Sequence, residues 1–340
     1  MPEAPGRLTQ RDIARLAGVS QTTVSLVLND RPDAARIAPE TRERVLRVIR
    51  ETGYAADPMA RRLTKQLNQI LGVFTYEPVF PSTSADFYHP FLRGIEESAE
   101  RSGCDLLLFT SAPVTAGRRR IFHQNNRLRV ADGCVLLGRE IPHEELSRLV
   151  AERYPFVCVG RRDDADGGPV PYIGADYVSA TARLVERVRA LGHRRLAFAG
   201  PGAGAESSDD RLTGFRQVAG PGAPHLGARG EPAAEQLEQL LDAGVSAVFV
   251  EFLHDAVKLY EAAAARGLDV PRDLSMLALG DPTAPVDPPV DFTGFRLRRT
   301  EMGRQAVDLL TGMLHGRAEH TRRLLDCRLV EGVTLAAPAR

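Results

Sequence analysis

Ser20-Gln21-Thr22-Thr23 follows Gly18 closely and opens an apolar helical stretch. These side chains suit hydrogen bonding to the base edges of a nucleic acid. A glutamine amide pairs bidentately with adenine, and a threonine methyl can meet a thymine methyl. The short polar groups Ser20, Thr23, Ser25 and Asn29 suit phosphate contacts. The spacing upstream positions them. Ala14 is small where two helices must touch. Gly18 falls four residues later, where a tight turn favours a residue that tolerates φ > 0, and Val24 falls six residues after that. Ile13, Leu16, Val24, Val27 and Leu28 supply an apolar stripe at helical period. Ser20 is a good N-cap. The pattern predicts a helix-turn-helix whose second helix enters a DNA groove by its N-terminal residues.

Pro39 and Glu40 open a third helix, expected to run to about Arg50, with Val45, Leu46 and Ile49 inside and Gly53 as its end. Asp57 and Pro58 then predict a short helix that forms only against a partner.

Residues 9–63 resemble the DNA-binding headpiece and hinge of the LacI/GalR family of bacterial transcription regulators. The matching residues include Asp12-Ile13-Ala14, Ala17-Gly18-Val19-Ser20, Thr23-Val24-Ser25, Val27-Leu28-Asn29, Gly53-Tyr54, Ala60-Arg61 and Leu63. The resemblance implies that Tyr54 and Ala60 join the DNA contacts. It also implies that Leu63 is an apolar wedge in the minor groove, where such a residue unstacks and kinks the duplex. A plain helix-packing leucine is the other reading of Leu63. Two departures stand out. Ala56-Asp57 replaces the usual Pro-Asn, and Leu26 lies where several relatives carry a polar or basic base-reading residue. Leu26 is thus expected to make apolar contact alone.

The 340 residues suffice for a small domain and a two-lobed larger one. Net charge is zero, yet residues 1–65 hold 12 basic and 8 acidic side chains, leaving the remainder acidic by four. A basic head on an acidic body fits a DNA-binding module joined to a sensor. The four cysteines, Cys104, Cys134, Cys158 and Cys327, have no metal-ligand spacing. We expect neither metal nor cofactor. No signal peptide and no membrane-spanning apolar run is recognisable, so the expected location is cytoplasmic, at the nucleoid.

Beyond the hinge, short apolar runs alternate with amphipathic stretches. Strands are expected at 70–76, 105–110, 133–138 and 156–160, with helices near 88–102, 116–129 and 142–153. The pattern repeats with strands at 194–200, 246–251 and 274–280 and helices near 177–191, 207–218, 232–243 and 253–266. The fold class is α/β: a small all-α headpiece and hinge helix, then two lobes with parallel sheets. Ligands of such sheets bind beyond the carboxyl ends of the strands. Expected domains are a headpiece at 7–56, a hinge helix and linker at 57–67, and a sensor at 68–340. Its N-lobe takes 68–163 with 294–323, and its C-lobe 164–293 with 324–340.

The body is similar to the same family's periplasmic-binding-protein-like sensor. The supporting residues include Ile70-Leu71-Gly72-Val73, Val159-Gly160-Arg161, Leu191-Gly192-His193, Arg211-Leu212 with Gly214-Phe215, and Asp273-Leu274-Ser275. The resemblance implies three lobe crossings, near 161–172, 290–296 and 322–327. It also implies effector contacts. Arg211 matches an arginine that holds a sugar hydroxyl or carboxylate, a task suited to its fixed fork of donors. A surface salt bridge with Asp209 or Asp210 is the other reading. Phe87 and Phe91 match the N-lobe pocket segment, where rings stack on a sugar face; helix-start packing is the alternative for Phe91. Arg161, Glu251 and Asp281 complete the expected set. Phe252-Leu253 replaces the family's usual Asn-Asp, which leaves Glu251, His254 or Asp255 as substitutes. His193 is expected to be structural.

The function these features imply is a sequence-specific repressor. It would bind a pseudo-palindromic operator in double-stranded DNA as a homodimer, under control of a small-molecule effector, a sugar or sugar derivative. The sequence does not choose between inducer and corepressor. The C-terminal Thr334–Arg340 shows no leucine heptad for a tetramer. A solute-binding protein with a vestigial headpiece is the competing reading. No nucleophile elbow, phosphate-binding glycine fingerprint or catalytic triad spacing is present, so no enzyme is expected.

Overall fold

The computed structural model describes residues 8–28, 37–54, 67–77, 87–114, 117–124, 126–227, 231–280 and 290–338. Asn29, Ala60, Leu63 and Asp281, with the expected hinge helix, lie outside these described residues. The chain divides into two compact units, Met1–Asn68 and Gln69–Arg340.

In the first unit, α1 (Gln10–Ala17) opens with a reciprocal cap, in which Asp12 donates its amide to Thr9 Oγ1 and accepts the Thr9 amide at 3.0 Å. Gly18 turns the chain at φ 63°. Ser20 Oγ then accepts the Thr23 amide at 3.1 Å and caps α2 (Gln21–Leu28). Helix α3 (Pro39–Thr52) ends at Gly53, φ 60°. Ile13, Ala14, Ala17, Val24, Val27 and Val45 form the core. Leu16 departs from the expected stripe. It is 55% exposed, at the side of α1 away from Ile13 and Ala17.

The second unit is two six-stranded sheets. The first runs β11-β5-β4-β3-β1-β2 and joins β1 (Ile70–Thr75), β2 (Asp105–Phe109), β3 (Gly133–Leu137), β4 (Phe156–Val159), β5 (Tyr172–Ala175) and β11 (Arg322–Leu325), all in parallel. The second runs β12-β10-β9-β8-β6-β7 and joins β6 (Leu196–Ala199), β7 (His225–Leu226), β8 (Ala247–Val250), β9 (Ser275–Ala278), β10 (Thr293–Arg296) and β12 (Arg328–Val330). Its last strand alone is antiparallel. Central strands such as Gly133–Leu137 and Ala247–Val250 are buried throughout, because helices cover both faces. These helices are α4 (His89–Arg101), α5 (His143–Ala151) and α10 (Arg299–Leu314) on the first lobe. On the second they are α6 (Tyr177–Ala190), α7 (Glu206–Ala219), α8 (Ala233–Asp242) and α9 (Leu253–Ala265).

Two expectations need correction. Among its described residues, the stretch 116–129 forms no α-helix. Its backbone donors go elsewhere: the Arg119 amide to Tyr76 O at 2.7 Å, and the Ile121 and Phe122 amides to the buried Glu145 carboxylate at 3.3 and 3.4 Å. A single 3₁₀ turn, Leu128–Val130, is left. The lobe boundaries also move. β5 pairs with β4 and β11, so the first crossing follows Ala175 rather than lying at 161–172. β10 belongs to the second sheet and β11 to the first, which places the other crossings after Arg296 and after Leu325. His193 is buried between Ser246 Oγ at 2.8 Å and Ala336 O at 2.7 Å and ties down the C-terminal segment.

Helices α4 and α10 approach through glycines. A Cβ on Gly94 would lie 1.9 Å from Thr300 O, and one on Gly303 would lie 2.1 Å from Phe91 O. Gly303→Ala must therefore push apart the helix that carries Phe91. The expected cost is about 3 kcal/mol of stability in urea denaturation, and an unchanged midpoint would contradict this packing.

Candidate DNA-reading helix and inter-lobe cleft

In the first unit, Gln21 and Thr22 are exposed at the start of α2, while Val24 and Val27 face the core. Gln21 Oε1 accepts from Arg11 Nε at 3.4 Å, a long bond. Ser20 and Thr23 are partly committed, with their hydroxyls 2.9 Å apart inside the cap. Ser25 and Leu26 are half-buried on the helix flank. Tyr54 packs against the core rather than standing clear of it. A row of outward polar groups on a rigid two-helix frame can present donors and acceptors to base edges.

In the second unit, a cleft of about 900 Å³ opens between the two sheets. Phe87, Phe91, Arg161, Arg211 and Glu251 all line it, so five of the six expected effector residues converge. Strand ends bring them together. Arg161 follows β4, Glu251 follows β8, and Arg211 projects from α7.

The N-lobe wall is aromatic. Phe87 stands edge-on to Tyr88 and to Phe91, with ring centroids 5.5 Å apart in each pair. Phe91 is also 3% exposed, so it serves core packing at the start of α4 as well as the cleft wall. Tyr88 donates to Glu77 Oε2 at 2.5 Å, and Glu77 Oε1 accepts the Arg139 amide at 3.1 Å. Burial, reinforced by the Glu77 charge, pushes the Tyr88 phenol far above its ordinary range. It is therefore a fixed donor.

Arg211 makes no salt bridge with Asp209 or Asp210. Its buried guanidinium lies 3.7 Å over the Tyr177 ring. It donates Nε to Leu279 O at 2.7 Å and Nη1 to Ser207 O at 2.6 Å. Both acceptors are neutral. Nη2 sits beside Gly280, 3.4 Å from where a Cβ would be, so a side chain there would crowd that edge of the fork. Asp210 instead takes Arg161 Nε on both oxygens, at 2.8 and 3.0 Å. Burial raises the Asp210 carboxyl above its usual value against the pull of that arginine.

Glu251 is 2% exposed. Ser208 donates to its Oε1, while its buried Oε2 has no hydrogen-bond partner among the described residues. Arg139 Nη2 stands 3.7 Å away, with its guanidinium 4.3 Å over the Phe252 ring. The three expected substitutes for the missing aspartate, Glu251, His254 and Asp255, all line the cleft, and His254 and Asp255 also pair with each other at 2.8 Å. Arg139, Arg162, Tyr177 and Ser208 were not expected here from the sequence. Their partners are distant in sequence, 43 residues away for Ser208 and 44 for Arg162, and only the strand-end positions of Arg139 and Arg162 hinted at a cleft role.

A family model for bacterial regulatory proteins of the lacI family matches residues 9–57, and one for a periplasmic binding protein-like domain matches 185–335. The HTH-type transcriptional repressor CytR of Escherichia coli K12 is 30% identical over 345 residues, 97% of each chain. Catabolite control protein A of Priestia megaterium is 26% identical over 325 residues, 88% of this chain and 94% of its own. Among solved structures, the lac repressor dimer bound to operator and the anti-inducer ONPF superposes with a TM-score of 0.70 at 23% identity, covering 97% of this chain and 99% of that one. The regulator CelR in complex with cellobiose gives 0.61 at 24%, covering 97% and 100%. The chain belongs to the LacI family of bacterial regulatory proteins. It is a DNA-binding transcription regulator, and its relatives are repressors rather than enzymes or solute carriers.

Ser208→Ala should leave the buried Glu251 carboxylate short of a donor. The expected loss is about 1.5–3 kcal/mol in urea denaturation, shrinking in a Glu251→Gln background because the charge is gone. Equal losses in both backgrounds would contradict a charged hydrogen bond.

Proposed function

We propose that this protein is an effector-controlled repressor that binds a pseudo-palindromic operator as a homodimer. The observation that carries the DNA half is the outward row at the start of α2, where Gln21 and Thr22 are exposed on a helix whose other face is fixed by Val24 and Val27. Gln21 reads adenine, and Leu26 contributes apolar contact alone. Ser20, Thr23, Ser25, Asn29, Tyr54 and Ala60 hold the backbone, and Leu63 is the minor-groove wedge at the centre of the paired half-sites. The lac repressor dimer bound to operator supports the arrangement by its fold.

The effector half rests on the cleft. Its aromatic wall at Phe87 and Phe91 shares the cleft with Arg211 and the buried carboxylate of Glu251. An apolar ring face opposite fixed donors and acceptors suits a sugar or sugar derivative. Arg161 and Asp281 belong to the same set, and CelR in complex with cellobiose offers a relative of like fold. Effector binding changes the angle between the lobes, and operator affinity follows by population shift.

The test is selection of bound duplexes from a random pool at near-physiological salt. The expected product is a palindrome with a deformable central step, and Gln21→Ala should weaken binding to it about tenfold or more while sparing random DNA. Recovery of no preferred sequence, with binding that disappears as salt rises, would reduce the interaction to counterion release and overturn the reading.

A further inference from the structure

Three arginines of the N-lobe reach across the cleft to carboxylates of the C-lobe. Arg161 and Arg162 follow β4, and Arg139 follows β3. Arg161 holds Asp210 through both oxygens at 2.8 and 3.0 Å. Arg162 holds Glu206 at 3.0 Å and is 4% exposed. Its guanidinium is fixed on its own lobe by Gly138 O at 2.5 Å and Arg161 O at 2.9 Å, so it arrives pre-aimed. Arg139 stands 3.7 Å from Glu251 and stacks on Phe252. Glu206 and Asp210 lie in the first turns of α7, where Ser207, Ser208 and Arg211 also sit.

We propose that these pairs are a built-in latch, so that lobe closure is a property of the chain rather than something a ligand must supply. The geometry separates them from ordinary surface pairs. Arg162 and Glu206 are 3% and 19% exposed at their side chains, and Arg161 and Asp210 are 23% and 12%, where solvent and salt screen little. Opening the cleft would strip a pre-aimed guanidinium of its carboxylate and return both to water. Glu206 also gains from the positive end of α7. The regulatory meaning rests on the effector reading: Arg211 shares one helical turn with Asp210, so a ligand there strains or relieves the latch directly. The closure itself needs neither ligand nor DNA, which keeps its failure distinct from a failure of that reading.

The experiment is a distance measurement by pulsed electron resonance on the full chain, with no ligand added. Spin labels go on Glu96→Cys in α4 and Glu235→Cys in α8, both exposed, in a Cys104→Ser background. One narrow distribution is expected for the parent. Arg161→Gln with Arg162→Gln should lower the closed-to-open ratio about tenfold or more, and Glu206→Gln with Asp210→Asn should match it. If the arginine variant fails to fold by circular dichroism, the acid-side variant decides. A broad parent distribution, or folded variants that keep the parent distance, would overturn the latch.

Discussion

A buried guanidinium held, among the described residues, by neutral acceptors organises the sensor. Arg211 needs its donors satisfied, and the protein supplies two backbone carbonyls and a tyrosine face. Those carbonyls come from the start of α7 and from the end of the β9 segment, so one side chain pins the helix to the sheet. Because Arg211 does not spend Asp210, that carboxylate is available to the other lobe. The charge arrangement of the cleft follows from this division. Neutral acceptors hold Arg211, and acids hold the arginines that cross.

The Phe252-Leu253 departure from the family pattern falls in the same cleft. With Phe252-Leu253 in place of Asn-Asp, the start of α9 carries no side-chain cap, and Asp255 is the acid left in its first turn. Phe252 instead gives Arg139 a face to lie on. Glu251, one residue upstream, is buried, with one carboxylate oxygen that has no hydrogen-bond partner among the described residues.

The headpiece was legible because its constraints are local. A small residue, a glycine and a cap at fixed spacing specify two helices, and each takes the expected part. The alternation of apolar runs likewise announced most central strands, since burial on both faces leaves little choice of residue. The stretch 116–129 misled because its composition suits a helix, yet Glu145 and Tyr76, distant in sequence, claim its amides. Tyr172–Ala175 is too short and too close to glycines to announce itself as a strand. Its identity comes from pairing with β4 and β11. The cross-lobe arginine pairs were illegible for the same reason, since no spacing rule connects Arg162 with Glu206.

The central claim is that occupancy at Arg211 controls the grip on DNA. Its most direct measurement is fluorescence anisotropy of a duplex recovered by selection, titrated with the full chain across a panel of sugars and nucleosides. The account predicts a compound that changes wild-type affinity at least about fivefold and leaves Arg211→Ala at its unliganded affinity. An Arg211→Ala protein that binds DNA and still responds as wild type does would contradict it.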